Sequence, residues 1–171
     1  MVTKIEYQAF VKSIFLPEPD SKYNMLRAGL ELAEEFMELY ALEYIDADMP
    51  NDAYAELAQL ELKELGDIYF WLTWLSLDLN FELNASFISP IPDAYFTEPI
   101  ELSAQLAGAI KRVYRDNNLA KLQEIPILAN NILGSLLLVY VCTEADLMET
   151  NYAKLSKRLK NNTIQGEGDN R

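Results

Sequence analysis

Two pairs of acids, each spaced i, i+3, constrain this chain more than any other feature. Glu35 and Glu38 lie in Ala33-Glu34-Glu35-Phe36-Met37-Glu38-Leu39; Glu64 and Asp67 lie in Lys63-Glu64-Leu65-Gly66-Asp67-Ile68-Tyr69-Phe70. On a helix that spacing sends both carboxylates of a pair from the same face. The residues continuing those faces are apolar: Leu42 and Ile45 after the first pair, and Leu57, Leu60, Trp71 and Leu75 around the second. The pattern therefore points four carboxylates toward a core, where charge without a partner or a metal is strongly unfavourable. A fold for this chain must resolve that conflict, and such conflicts mark functional sites.

The remaining sequence reads as helices. The 171 residues suffice for one domain with a sizeable core, and only 6 Gly and 7 Pro interrupt them. Residues 3 to 16 form a short amphipathic helix, with Ile5, Ala9, Lys12 and Phe15 on one strip and Phe10, Val11 and Ile14 beside it. Pro17 and Pro19 stop it. Asp20 or Ser21 caps a second helix, 22 to about 47, with Leu26, Leu30, Ala33, Met37 and Tyr40 at helical spacing. Asn51 or Asp52 caps a third, about 52 to 79, with Leu57, Leu60, Leu65, Ile68, Leu72 and Leu75 as its apolar set. Gly66 inside it costs roughly 1 kcal/mol against Ala, so either something approaches the backbone there or a second helix packs tightly on it.

Residues 81 to 99 contain Pro90, Pro92 and Pro99 with Phe81, Phe87, Tyr95 and Phe96. They read as an irregular segment that packs on the surface or covers a pocket. A fourth helix spans 100 to about 117 and breaks at Asn117-Asn118, and a long last helix runs from Pro126 to about 160. The expectation is one all-α domain over residues 1–160, a bundle of about four to five helices, followed by a polar tail at 161–171.

Composition removes several function classes. A net charge of −13 argues against nonspecific nucleic-acid binding and against docking on anionic membranes. A small anionic substrate stays admissible, because a divalent metal inverts the local field. Cys142, the single cysteine, excludes an internal disulfide and Cys-rich zinc sites, and reads as a core residue. The absence of histidine removes Ser-His-Asp and Cys-His catalysis and His-ligated zinc or iron. A general base must then be a carboxylate, Lys, Tyr or water on a metal. The N-terminus carries no signal peptide. The most apolar run, Ile132 to Cys142, falls short of the ~20 residues of a membrane span, so the expected location is the cytoplasm.

Charge is also segregated. Glu31 through Asp67 holds twelve acids and one base, Lys63; Asn151 through Lys160 holds four bases and no acid. An antiparallel bundle can bring these segments around one cavity, acids toward metal and bases toward anion. Hard oxygen ligands without His or Cys select Mg²⁺ or Mn²⁺. Four carboxylates offset two such ions, leaving Lys154 and Arg158 to a triphosphate, and the reaction class is metal-assisted hydrolysis of a phosphoanhydride. Glu31, Glu43 and Glu56 read as a solvated face, Trp71 and Trp74 as core, and Lys111, Arg112 and Arg115 as surface. Lys154 and Arg158 alone would be read as decoration of a helix C-terminus, favoured by the macrodipole.

Taken in order, the E-x-x-E pair, the E-x-x-D pair before an aromatic-rich helix, and Asn151-Tyr152-Ala153-Lys154-Leu155-Ser156-Lys157-Arg158 resemble the MazG-like all-α nucleoside triphosphate pyrophosphohydrolases. The third element resembles that family's N-x-x-K-x-x-x-R segment. Residues 22 to 80 and 144 to 160 carry most of the likeness. The ending with Gly166, Gly168, Asp169 and Arg171 is similar to that of phage-encoded members, which would act in a host cytoplasm.

The resemblance implies hydrolysis of an NTP or dNTP to the monophosphate and pyrophosphate with Mg²⁺ or Mn²⁺, two or more ions per site. It implies Glu35, Glu38, Glu64 and Asp67 as metal ligands and Glu34 as an outer ligand or water-orienting carboxylate, so that Glu34, Glu35 and Glu38 form the implied catalytic set. Asn151, Lys154 and Arg158 would contact phosphates. The implied assembly is a homodimer or homotetramer with sites near subunit interfaces. Met37 stands where members often have Gly, and the 81–99 segment and the N-terminal helix exceed the minimal family core. Base preference therefore does not transfer, and a purine dNTP such as dGTP is the expectation. The competing reading is a non-catalytic nucleotide-sensing or interaction protein of the same fold. A di-iron bundle would want Glu-x-x-His pairs that the chain lacks.

Overall fold

A computed structural model describes residues 1–15, 17, 19–42, 51–85 and 99–161, with the backbone alone at Ser21 and Asn51 to Ala53. Six α-helices follow in order: α1 (Lys4–Ile14), α2 (Ser21–Leu42), α3 (Asn51–Asp78), α4 (Pro99–Asp116), α5 (Glu124–Val139) and α6 (Glu144–Lys160). A 3₁₀ turn at Leu119–Gln123 leads into α5. No strand occurs among the described residues, so the all-α expectation holds. The end of the second predicted helix beyond Leu42, residues 86–98 of the irregular segment and residues 162–171 of the tail lie outside the described residues.

The helix count exceeds the four to five expected because residues 126–160 are two helices. Val141 takes φ 51°, a left-handed conformation that stops α5. Thr143 then caps α6. Its hydroxyl accepts from the Asp146 backbone N–H, and the Asp146 carboxylate accepts from the Thr143 backbone N–H at 2.8 Å. This reciprocal capping box satisfies donors the helix end leaves open. Thr3 and Glu6 cap α1 in the same way. Asp20 caps α2, accepting from the Lys22 N–H at 2.9 Å. Pro99 opens α4 rather than interrupting it, as suits a residue with fixed φ and no N–H. Asn117, at φ 53°, follows its end.

The long α3 is central, packing on α1, α2, α5 and α6. Its residues Leu65, Ile68, Leu72 and Leu75 are buried as the periodicity predicts. Each such side chain contributes roughly 1.5–3 kcal/mol on burial. On α2 the core face differs from the expected stripe. Met25, Ala28, Leu32, Phe36 and Leu39 are buried, while Leu30 and Met37 are 64% and 59% exposed. Both stripes have helical spacing, and the one holding Phe36 turns inward where α2 packs on α3 and α4. Val11 on α1 and Phe15 just after it face the core as expected, and Tyr7 joins them, while Ile5, Ala9 and Lys12 of the expected strip face out.

Trp71 and Trp74 are core residues, their rings 5.5 and 4.3 Å from that of Phe15. Lys111, Arg112 and Arg115 are exposed. Cys142 is half-buried against the core rather than inside it, and burial pushes its thiol pKa up. By length and composition alone, the 21 residues Leu119–Val139 would suffice to cross a membrane, more than the run expected from sequence. Ile125, Ala129, Ile132, Leu133 and Leu136 bury one side of that stretch in the core.

Candidate functional site

The site grows from the contact of α3 with α6, and Gly66 permits that contact. A Cβ on Gly66 would stand 3.2 Å from Asn151 Cβ and 3.4 Å from both the Asn151 backbone N and the Leu147 carbonyl oxygen. Of the two sequence readings of Gly66, tight helix packing is the one realised. The close approach sets Asn151 beside Asp67, one residue along α3.

A chain of hydrogen bonds follows. The Asn151 Nδ2 donates to Asp67 Oδ1 at 2.6 Å. Lys154 Nζ donates to the other carboxylate oxygen, Asp67 Oδ2. On the far side of the amide, the Tyr7 hydroxyl donates to Asn151 Oδ1 at 2.8 Å. Lys154 and Asp67 are only 14% and 13% exposed in their side chains, so water screens their attraction little. Burial, then Tyr69 and Asp67, holds the Tyr7 phenol well above its usual range, so it stays a proton donor. Nearby, Glu144 at the start of α6 accepts from the Tyr69 hydroxyl at 2.6 Å and pairs with Lys4 at 2.7 Å, tying α1 to α3 and α6.

The acids from α2 and α3 converge on the same place. Glu35, Glu64 and Asp67 each offer a carboxylate oxygen, and the three oxygens lie within 4.8 Å of one another. Glu64 is 6% exposed, and Glu35 and Asp67 are half-buried. Burial is the main reason that the Glu35 carboxyl is raised from 4.5 to about 9; Asp67, Glu38 and Glu64 add to the rise and Lys154 opposes it. Burial produces most of this shift and the gathered like charges add to it, and a divalent cation among the carboxylates would oppose both. Fully ionised, the three acids and Lys154 leave an excess of two negative charges. With oxygen donors only, the residues fit a hard divalent ion.

Five of the eight sequence-predicted site residues are thus brought together: Glu35, Glu64, Asp67, Asn151 and Lys154. Glu38 is exposed and stands outside the trio, although Glu35 feels its charge. Glu34 is exposed on α2, and Arg158 is half-buried one turn beyond Lys154 on α6. Asn151, expected at a phosphate, is 1% exposed and held between Tyr7 and Asp67. Tyr7 was not foreseen, because nothing in its own segment marks a tyrosine whose hydroxyl meets a residue 144 positions away.

A separate cavity of about 550 Å³ lies along α4 and the start of α5, lined by Gly108, Arg112, Lys121 and Ile127 among others. None of the clustered acids reaches it. Comparison with protein-family models, with curated proteins and with solved structures returned no match.

Proposed function

We propose that this chain is a divalent-metal-dependent pyrophosphohydrolase that converts a (d)NTP, with dGTP as the first candidate, to the monophosphate and pyrophosphate. The observation that carries the reading is the Glu35–Glu64–Asp67 trio, its carboxylate oxygens within 4.8 Å, with Lys154 at its edge. Mg²⁺ or Mn²⁺ held by these three residues would supply Lewis-acid stabilisation of charge on the phosphate oxygens.

The chain's own residues then divide the work. Asn151 fixes the Asp67 carboxylate through a neutral N–H, so the full negative charge stays available for a cation. Lys154 balances Asp67 until substrate arrives and turns to a phosphate oxygen, with Arg158 one turn further along the same helix. The proton of the attacking water passes to a carboxylate of the Glu34, Glu35 and Glu38 set on α2. Attack at the α-phosphorus forms the P–O bond of the monophosphate and breaks the bond to pyrophosphate. The proposed assembly is a homodimer or homotetramer.

Incubation of the purified protein with a panel of NTPs and dNTPs plus Mg²⁺ or Mn²⁺ tests the reading. Monophosphate and pyrophosphate are expected, and Glu64→Gln and Asp67→Asn should each lower kcat/KM by about 100-fold or more. No pyrophosphate from any nucleotide, or full activity in both variants, would overturn it. Nucleotide binding without turnover would favour the sensing protein instead.

A further inference from the structure

We infer that Tyr7 is a positioning residue: its hydroxyl pairs the buried oxygen of the Asn151 amide and so anchors the amide whose other end holds Asp67 for a divalent cation, and α1 belongs to the functional unit. The cation-binding part of this inference rests on the reading proposed above; the orienting relay itself stands on geometry alone.

The two ends of an Asn amide have nearly the same shape, so neighbours must decide which way it faces. An ionised carboxylate only accepts. Asn151 therefore presents Nδ2 to Asp67 Oδ1 at 2.6 Å, which turns Oδ1 the opposite way, into a place where the residue is 1% exposed. A buried acceptor there needs a donor. The Tyr7 hydroxyl, 2.8 Å away and carrying one proton, supplies it.

Asp67 itself forbids the reversed amide, which would face Oδ1 to its carboxylate. Without the Tyr7 donor, Oδ1 is left buried and unpaired, so an amide withdrawn from Asp67 loses its disadvantage. Lys154 also holds Asp67, but as a cation it competes with a metal for the same charge. The Tyr7–Asn151 arm orients the carboxylate without neutralising it. The ring of Tyr7 packs on Tyr69 at 5.4 Å between centroids, a contact that a phenylalanine would keep.

Tyr7→Phe in the full chain therefore separates the hydroxyl from the ring. Without added metal, the Asn151 side-chain NH₂ protons are expected to exchange with solvent about tenfold faster in the variant, read by ¹⁵N–¹H NMR. Unchanged exchange would overturn the relay. Mn²⁺ affinity, read by calorimetry, is expected to fall about 10- to 100-fold in the variant. In an Asn151→Ala background, Tyr7→Phe should cause no further loss, because the hydroxyl acts through the amide. The same loss in both backgrounds, or none in either, would overturn the positioning role. A wild-type protein that neither binds Mn²⁺ nor cleaves nucleotide would sink the pyrophosphohydrolase reading, while the exchange measurement would still decide the relay.

Discussion

Along α4 and α5 the chain packs Ala109, Ile110, Val113, Ile125, Ala129 and Ile132, and keeps Arg112, Lys121 and Glu124 at the rim of a cavity. Along α3 and α6 it packs Gly66 against Asn151 and sets Asp67, Lys154 and the Tyr7 hydroxyl where the other seam has methyl groups. Polar groups that satisfy one another in the interior add little stability over apolar residues of the same volume. The second seam is thus an expensive way to join two helices, and its value lies in what it holds in position. Apolar burial builds the bundle; the polar seam gives three carboxylates a defined place in it.

The comparison breaks if stability and cation binding prove inseparable. The largest loss of stability is expected from Ile132→Ala on the apolar seam, about 2–5 kcal/mol by urea unfolding. The folded variant should bind Mn²⁺ like the wild type, and weakened binding would mean that the seams are coupled. Gly66→Ala tests the polar seam. The added methyl, 3.2 Å from Asn151 Cβ, must push α6 outward. It should cost about 1–3 kcal/mol, and Mn²⁺ affinity should drop by about tenfold or more. An alanine that binds the ion normally would show that the helix spacing is not what positions the acids.

Smaller still is Thr143→Ala, which removes the cap of α6 and should cost about 1 kcal/mol in a thermal melt. Glu35→Gln has the opposite sign. Without metal, the fold disfavours ionised Glu35, whose carboxyl is raised from 4.5 to about 9. Wild-type stability is therefore lost as pH rises through that window, since the unfolded chain gives up the proton first. The variant escapes this loss, so its Tm should exceed the wild type's at pH 8 and nearly match it at pH 5. Added Mn²⁺ should raise the wild-type Tm at pH 8 more than the variant's. An advantage that is larger at pH 5 would contradict the assignment.

Much of this arrangement was legible in the sequence. The buried stripe of α3, the core positions of Trp71 and Trp74 and the convergence of residues near 35, 65 and 154 follow from spacing and charge. Glu38 shows where the spacing argument stops. Three residues of helix turn a side chain about 60° from its partner, enough to carry it from the groove to solvent. On α2, two apolar stripes share one period, and only the neighbouring helices decide that Phe36 turns inward and Met37 outward. The break after α5 had a local signal, Thr143-Glu144-Ala145-Asp146, hidden within an apolar run that reads as continuous helix. Tyr7 had none, since its role depends on a partner from the opposite end of the chain.

That partnership bears on how the protein is made. Tyr7 and Asn151 are 144 residues apart, and Lys154 and Asp67 are 87 apart. Closing such loops is entropically unfavourable until many contacts form together. During synthesis α1, α2 and α3 emerge first, and their clustered acids wait for the counter-charge and the orienting amide on α6. Burial of Asn151 in a refolding experiment therefore reports completion of the site, and is expected to follow the growth of helical signal. A ribosome-bound chain that ends before α6 would carry every acid of the cluster and none of the groups that orient Asp67 from the other side.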